Sequence, residues 1–243
     1  MQNNDLTSKA KMIPSLQILA KSWSLYWRGL ISFVGMYLWG LVGLIPLFVL
    51  SLLALLVFYT LTWHFFALYA LFGILGLASF AWAIYYGTRS KIGLLLLLKH
   101  DFKSVNDDFK ESKKYFWRYF WVSLLVALIS IVLMMFFIIP GIIVAVLYSF
   151  ALFVVIFEKG RTFSSVEKSY DLVKKYWWPV FGRFMLLGLI AFILVSITNI
   201  PMNYLYDTAK EVYSVIFNLI WALISPYFLV YTYFMYRDLT SKQ

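Results

Sequence analysis

Apolar stretches follow one another along most of this 243-residue chain, and each is about as long as a lipid bilayer is thick. A helix needs about 20 apolar residues to cross about 30 Å of hydrocarbon. We predict six spans: Gly29–Tyr59, Phe65–Tyr86 with a continuation to Leu98 left open, Tyr119–Ile139, Gly141–Phe157, Val180–Ile200 and Tyr213–Tyr236. In lipid the backbone must bond within its own segment, and the alternation of a membrane β-strand is missing, so every span is predicted to be helical.

The composition supports a membrane protein. Hydrophobic residues make up 63% of the chain and charged residues 13%, whereas soluble domains have about 45–50% and about 25%. A soluble fold cannot bury so much apolar side chain, so we predict one polytopic membrane domain over residues 1–243. The chain has no cysteine, which excludes disulfides, thiol nucleophiles and cysteine metal ligands.

A pattern of aromatic and basic residues occurs twice, 61 residues apart. The first copy contains Phe102, Ser104, Val105, Phe109, Lys113, Lys114, Tyr115, Trp117 and Phe120. The second contains Phe163, Ser165, Val166, Tyr170, Lys174, Lys175, Tyr176, Trp178 and Phe181. A weaker third copy lies near the start, with Ile13, Leu16, Ala20 and Trp23 at helical spacing before Tyr26-Trp27-Arg28. A shared period indicates a repeated structural unit, and we place the units at about 12–98, 101–158 and 162–237.

Each copy begins with a segment that has one apolar and one charged face. In the first copy, Phe102, Val105 and Phe109 lie at positions i, i+3 and i+7 of one helix face. This spacing predicts a short helix lying in the membrane interface. In the second copy, Ser164 and Glu167 fit a capping box that starts the helix near Ser164.

Each copy contains an Ile-Pro pair: Pro140 and Pro201 follow outward-going spans, and Pro46 lies within the predicted first span. Proline disfavours helix for the residue before it. We expect a tight turn at Pro140-Gly141 and a kink at Pro46. The predicted fold class is therefore an all-α polytopic membrane protein with six transmembrane helices in three repeated hairpins, each preceded by a cytoplasmic interfacial amphipathic helix.

The positions of the basic residues predict the orientation. If the spans are as predicted, Lys210 lies on one side of the membrane and the rest of the 21 lysine and arginine residues lie on the other. Cytoplasmic loops carry the excess of lysine and arginine. Both termini and the two long connections are therefore predicted to be cytoplasmic.

The net charge of +10 would suggest nucleic acid as a partner of a soluble protein. Beside membrane spans it indicates anionic lipid headgroups instead, so membrane lipids are the expected partners and nucleic acid is not. The aromatic clusters are typical of interfacial belts, with a ligand-stacking cage as the alternative. The candidate contacts for anionic lipid are Lys113, Lys114, Arg118, Lys174, Lys175 and Arg183.

Arg89 and Lys91 are the basic residues whose position is open. If the second span ends near Tyr86 they cap it at the interface; if it continues to Leu98 they lie inside a long helix. A charge buried in lipid is often functional, although long basic side chains also snorkel to the interface. Arg89, Lys91, Asn199 and Asn218 are the candidate ligand or pathway residues, and interhelical hydrogen bonding is the alternative role of the two asparagines.

An enzyme is not expected. His64 and His100 are predicted on opposite sides of the membrane, so they cannot share a zinc ion. The chain also has no His-Glu-x-x-His motif and no glycine-rich phosphate loop. We expect no catalytic residue, no cofactor and no metal ligand.

The region from Ile139-Pro140-Gly141 to Trp178 resembles a known membrane module. It contains Phe157-Glu158-Lys159-Gly160, a Ser164–Tyr170 helix segment and Lys174-Lys175-Tyr176-Trp177-Trp178. It is similar to the membrane domain fused to some bacterial glycerophosphoryl diester phosphodiesterases and to related stand-alone six-span proteins of unassigned function. Ser169 matches the serine of that pattern, while Ser165 replaces its usual alanine. The resemblance implies a bacterial-type inner-membrane (plasma membrane) protein without phosphodiesterase activity, since the metal-binding acids and histidines of the catalytic barrel are absent.

Two functions follow from these patterns. The first is transport or handling of a lipid or small solute, with a pathway between the repeats. The alternative is a non-catalytic scaffold or assembly factor that recruits partners through its cytoplasmic interfacial helices. A homo-oligomer or a membrane-protein partner is left open.

Overall fold

The computed structural model describes residues 12–60, 66–204 and 206–242, and this part of the chain is almost entirely helical. The helices are α1 (Ser15–Val42), α2 (Ile45–Thr60), α3 (Phe66–Lys99), α4 (Val105–Phe136), α5 (Ile138–Leu147), α6 (Ala151–Phe157), α7 (Thr162–Lys174), α8 (Trp177–Asn199) and α9 (Asp207–Thr240). A 3₁₀ turn at Ile200–Asn203 follows α8.

Six helical segments in the described residues are long and apolar enough to cross a membrane. They are Ser15–Val42, Ala70–Lys99, Val105–Phe136, Ile138–Phe157, Trp177–Asn199 and Ala209–Thr240. The prediction of an all-helical chain with six membrane-spanning helices is therefore confirmed in helix type, number, length and apolarity. The three repeated hairpins and the interfacial position of the amphipathic segments stay predictions.

The predicted first span, Gly29–Tyr59, is wrong as one helix. It is divided after Val42, and Pro46 is the second residue of α2 rather than a kink within a span. The first turn of a helix tolerates proline because its N–H groups have no partner there. Gly43 lies at the division and touches α3 closely, since a Cβ at this position would lie 2.6 Å from Tyr86 Cβ.

The predicted turn at Pro140-Gly141 is displaced toward the N-terminus. The chain leaves helical conformation at Phe137, with φ −149° and ψ 103°, and Pro140 is the third residue of α5. Gly141 is required at its position because a Cβ there would lie 2.9 Å from the backbone N and Cα of Met134. Pro201 lies in the 3₁₀ turn at Ile200–Asn203, so this proline occupies a turn.

The predicted fourth span, Gly141–Phe157, is interrupted between Leu147 and Ala151. Ser169 of α7 compensates for the lost helical bonds. Its hydroxyl donates to the carbonyl of Leu147 at 2.8 Å and accepts the N–H of Phe150 at 3.2 Å. A buried backbone group without a partner is unfavourable, so this serine of a neighbouring helix stabilises the break.

The predicted amphipathic segments differ in form. The segment near the N-terminus continues into the long helix α1 and the segment of the first copy into α4, whereas the segment of the second copy forms the separate helix α7. It begins at Thr162, two residues before the predicted start, and the Ser164 hydroxyl accepts the N–H of Arg161 at 3.0 Å. The capping bond at the start of α7 therefore joins Ser164 to Arg161, whereas a bond between Ser164 and Glu167 was predicted.

The chain divides into two compact units, and the single domain with three repeat units stays a prediction. The continuous unit is Ile31–Phe120, and the discontinuous unit combines Met1–Leu30 with Trp121–Gln243. In the continuous unit, Ile92 and Leu94–Leu98 are buried with Phe33 and Met36. In the discontinuous unit, the buried side chains include Phe150, Val154, Ile156, Leu172 and Val230.

Much of the remaining helix surface is apolar and exposed. Phe136 is 75% and Ile139 73% exposed, and none of the most apolar stretch of Ala70–Lys99 is buried within the protein. Large exposed apolar surfaces mark interfaces with partners or membrane. Combined with six spanning-length helices, this surface is the one expected to face lipid.

The approach of Gly141 to Met134 predicts unequal effects of two glycine substitutions. Gly141→Ala forces a methyl group against backbone atoms and should destabilise the protein by about 1–3 kcal/mol. Gly188→Ala, in α8, meets nothing within 4 Å and should be neutral or stabilising by up to about 1 kcal/mol. Denaturant titration in mixed micelles measures both. Equal effects of the two substitutions would contradict the close packing at Gly141.

Candidate functional site

Arg89 of α3 is buried in the continuous unit, with 9% of its surface exposed. Its Nε donates to the Ser112 hydroxyl at 3.1 Å, and its Nη2 donates to the Phe109 carbonyl at 2.6 Å. The guanidinium carbon lies 4.1 Å from the centre of the Phe109 ring and 5.3 Å from that of Tyr85. Arginine is attracted to aromatic faces, and more strongly where water is excluded. Within the described residues, this cation is therefore held by a carbonyl, a hydroxyl and aromatic rings rather than by a carboxylate.

Further aromatic and polar side chains pack around Arg89 and its partners. Trp39 stacks on Phe109 with ring centres 4.6 Å apart, and its Nε1 donates to Asn106 at 3.0 Å. On α3, Ser90 donates to the Met36 carbonyl at 2.8 Å. These contacts hold α1, α3 and α4 together around the guanidinium, which is consequently directed into protein.

The structure places Arg89 and Lys91, whose positions the sequence left undecided, in different environments. α3 continues through Leu98, so both lie inside a long helix, but Arg89 is buried and Lys91 is exposed. The candidate asparagines bond within their own helices: Asn199 donates to the Val195 carbonyl at 2.7 Å, and Asn218 to the Ser214 carbonyl at 2.8 Å.

A buried ion pair that the sequence reasoning missed lies in the discontinuous unit. Arg183 Nη2 of α8 is 2.9 Å from Asp238 Oδ2 of α9, and the two side chains are 4% and 2% exposed. The backbone of Ile13 joins them, because its carbonyl accepts from Arg183 and its N–H donates to Asp238. The structure therefore places Arg183 inside the protein, away from the lipid contact expected of it. Asp238 gave little signal, since it follows the predicted sixth span by only two residues.

Glu158 is a second acid that the sequence reasoning did not single out for a role of its own. It lies between α6 and α7, accepts a hydrogen bond from Tyr236 at 2.7 Å and pairs with Lys168. The bond to Tyr236 ties the turn after α6 to α9. This role fits a structural acid better than a reacting one.

The other five predicted lipid contacts lie on exposed side chains: Lys113, Lys114, Arg118, Lys174 and Lys175. Lys174 is 2.6 Å from Asp171, and this carboxylate raises the pKa of the Lys174 amine. Lys174 also lies 5.3 Å from the Tyr170 ring centre. It therefore keeps its positive charge at the protein surface.

An apolar cavity of about 490 Å³ opens between α1, α8 and α9 of the discontinuous unit. It is lined by Trp23, Tyr26, Trp27, Ile190, Leu194, Ile224, Tyr227 and Phe228. Tyr26 donates to the Leu223 carbonyl at 2.9 Å and packs edge-on against Tyr227. The aromatic wall is thus held in place, while Trp23 and Trp27 stay more than half exposed.

A basic recess of about 310 Å³ lies on the opposite side of α1. Lys21, Ser24, Leu25 and Arg28 line it with Phe234 of α9. They follow the spacing i, i+3, i+4, i+7 of one helix face. Trp23 is two positions after Lys21, which places it about 200° around the helix. The first turns of α1 thus carry an apolar cavity on one face and two cations with a hydroxyl on the other.

Comparison with known proteins identifies no relative: no family model, no curated protein and no solved structure matches this chain. The resemblance to a phosphodiesterase-linked membrane module therefore stays a prediction.

Two aspartates in ion pairs should differ in their effect on stability. Asp238→Asn leaves the buried Arg183 charge unpaired and should destabilise the protein by about 3–5 kcal/mol. Asp171→Asn breaks the exposed pair with Lys174 and should change stability far less than Asp238→Asn does. The free energy of unfolding in mixed micelles distinguishes them. A loss below about 1 kcal/mol for Asp238→Asn would show that Arg183 finds another partner or water.

A second pair of substitutions tests the position of Arg89. Arg89→Gln removes bonds from a charged group to Phe109 and Ser112 and should destabilise the protein by about 1.5–3 kcal/mol. Lys91→Gln, two residues away on the exposed face, should change stability by less than about 0.5 kcal/mol. The same unfolding titration gives both values. Similar small effects would mean that the Arg89 side chain is exposed in the membrane.

Proposed function

We propose that this protein is a multi-pass membrane protein that binds and handles membrane lipid. The observation that carries the proposal is the apolar cavity between α1, α8 and α9. Its volume falls within the range of about 300–1,000 Å³ that is usual for small-molecule sites. Its walls are aromatic and aliphatic, and the polar groups of Tyr26 and Tyr227 are bonded to backbone carbonyls. Such a cavity suits an acyl chain better than a polar solute.

The basic recess on the other face of α1 supports a preference for anionic headgroups at a second lipid contact of this helix. Lys21 and Arg28 supply positive charge, and Ser24 supplies a hydroxyl. Basic side chains near the cytoplasmic surface attract anionic lipids at about 1 kcal/mol each. The exposed lysine pairs Lys113-Lys114 and Lys174-Lys175 extend this preference. In the proposed orientation, with both termini cytoplasmic in a bacterial-type inner membrane, these groups meet the inner leaflet.

Solute transport through Arg89 has less support than lipid binding. The guanidinium is bonded to Phe109 and Ser112 and packed between aromatic rings. Opening a path along it would break these bonds in a medium where they are hard to replace. Arg89 is thus better explained as a packing element of the continuous unit, and the proposal is a binding protein rather than a carrier or an enzyme.

A scaffold is the second candidate, and α7 is the observation that favours it. Val166 and Val173 of this helix are buried, whereas Phe163 is 77% exposed. The helix therefore docks through one face and presents an apolar side chain on another. A protein partner or the membrane surface could cover that side chain.

Filling the apolar cavity tests lipid binding. Ile224→Trp places an indole in the cavity and should weaken lipid binding at least about tenfold, a change of about 1.4 kcal/mol. Leu219→Trp adds the same side chain to an exposed position of α9 that does not line the cavity, and it should bind like the wild type. Native mass spectrometry of each protein in defined lipid mixtures measures the bound fraction.

Charge removal separates headgroup preference from chain binding. Lys21→Gln with Arg28→Gln should lower the preference for phosphatidylglycerol over phosphatidylcholine. Lys103→Gln with Lys110→Gln removes equal charge from the continuous unit and should lower this preference less, because neither residue lines the recess. If neither the tryptophan nor the glutamine variants alter bound lipid, the lipid proposal fails. A protein crosslinked through Phe163 would then favour the scaffold.

A further inference from the structure

His100, Asp108 and Glu111 come together where α3 ends and α4 begins. One ligand atom from each side chain can be chosen so that all three lie within 4.8 Å of one another. Asp108 and Glu111 are three residues apart on α4, so they share a face of that helix. All three residues belong to the continuous unit, whereas the residues that line the lipid cavity belong to the discontinuous unit.

A tight turn brings His100 back against α4. Asp101 and Phe102 both adopt left-handed backbone conformations, with φ of 54° and 61°. Such values are uncommon for residues other than glycine and are often found at functional sites. The N–H of Phe102 bonds to the Leu97 carbonyl at 2.9 Å, and its ring packs edge-on against Phe33. The turn is therefore well anchored, and it places His100 Nδ1 at 2.5 Å from Asp108 Oδ1.

Asp108 has a polar atom that this arrangement leaves without a partner. The residue is 3% exposed, and its Oδ2 is buried without a hydrogen-bond donor. Because the other oxygen of the same carboxyl group contacts His100, Oδ2 lies beside the same cluster. A buried oxygen of this kind carries the full desolvation penalty, which is larger for a charged group. Glu111 and Asp107 are the other acids whose charges reach Asp108, so the surroundings favour a cation.

We propose that His100, Asp108 and Glu111 form a binding site for a divalent first-row metal ion such as Zn²⁺. Imidazole with carboxylates is a ligand set of zinc and its neighbours, whereas Mg²⁺ and Ca²⁺ prefer oxygen ligands alone. Ligand atoms about 2.1 Å from a tetrahedral zinc lie about 3.4 Å apart. Reaching this spacing requires a slight opening of the His100–Asp108 contact and a closer approach of Glu111.

The side chains of His100 and Glu111 can move to reach this spacing. The His100 side chain is 32% exposed and Glu111 is half-buried, so both can rotate, while Asp108 is fixed in the interior. Tyr115 follows Glu111 by four residues on α4, so the two side chains share a face of that helix, and the tyrosine hydroxyl can orient the carboxylate as outer-shell groups do at metal sites. Three protein ligands leave a fourth position open to solvent. The bound ion would fasten the end of α3 to the start of α4.

The proposed site departs from the expectation that the chain has no metal ligand, which considered only a zinc ion shared by the two histidines. His100 is the only histidine in it, and the two carboxylates supply the other ligands. Its spacing, one histidine followed eight and eleven residues later by acids, matches no common metal motif.

Zinc binding to the whole chain in lipid nanodiscs tests the proposal. After treatment with a chelator, the wild-type protein should take up one Zn²⁺ per chain, measured by equilibrium dialysis with elemental analysis. His100→Gln and Glu111→Gln should each weaken the affinity at least about tenfold, and Asp108→Asn should do so at least as much. Asp107→Asn removes the neighbouring exposed acid and should stay within about threefold of the wild type.

A second measurement keeps the test valid if Asp108→Asn fails to fold. Co²⁺ at the site should give the visible absorption bands of a four-coordinate ion in the wild type, and His100→Gln, whose side chain is partly exposed, should lose them. Zn²⁺ should also raise the unfolding temperature of the wild type but not of His100→Gln. The proposal is overturned if the wild type binds no stoichiometric zinc, or if zinc binding is unchanged in His100→Gln and Glu111→Gln.

Discussion

Placing an arginine guanidinium inside an apolar helical protein is the constraint on which the rest of this structure depends, because a buried charge is tolerated only where other groups replace its water. Each compact unit contains one such arginine and solves the problem differently. Arg89 bonds to the Phe109 carbonyl and the Ser112 hydroxyl beneath an aromatic ring. Arg183 pairs with Asp238 and the backbone of Ile13. These contacts join consecutive helices, α3 to α4 and α8 to α9, and Arg183 also binds the backbone of Ile13, 170 residues away. They therefore specify how these segments pack in a chain whose apolar surfaces are otherwise alike.

The helices themselves were largely predictable from hydropathy, since five of the six predicted spans overlap long apolar segments, whereas the first is divided between α1 and α2. Their interruptions were not. A kink was predicted at Pro46 and a tight turn at Pro140, yet both residues lie in the first turn of a helix, where a missing N–H does no harm, and the helical conformation is interrupted just before each helix begins. The break before Ala151 depends on Ser169, whose hydroxyl arrives from another helix. The ion pair between Arg183 and Asp238 spans 55 residues. Such long-range partners leave no local pattern, so single-sequence reasoning assigned Arg183 to the lipid surface.

The candidate site, too, was predictable from the sequence only in part. Sequence reasoning noted the aromatic cluster at Trp23, Tyr26 and Trp27 and interpreted it as an interfacial belt, with a ligand cage as the alternative. The structure adds α8 and α9 as the opposite wall and so turns the cluster into one side of a cavity. It also shows Lys21 and Arg28 on the other face of α1. In our account, α1 supplies both an acyl-chain surface and a headgroup surface, and the buried pair of Arg183 and Asp238 joins α8 to α9, the two other helices of the cavity.

The most direct test of this account is electron cryomicroscopy of the protein in nanodiscs that contain phosphatidylglycerol, combined with mass spectrometry of the lipid that co-purifies. The account predicts elongated non-protein density between Trp27, Leu194 and Tyr227, and an anionic lipid among the co-purified molecules. A cavity closed by side chains, or one without lipid density while annular lipids around the same protein are resolved, would contradict it.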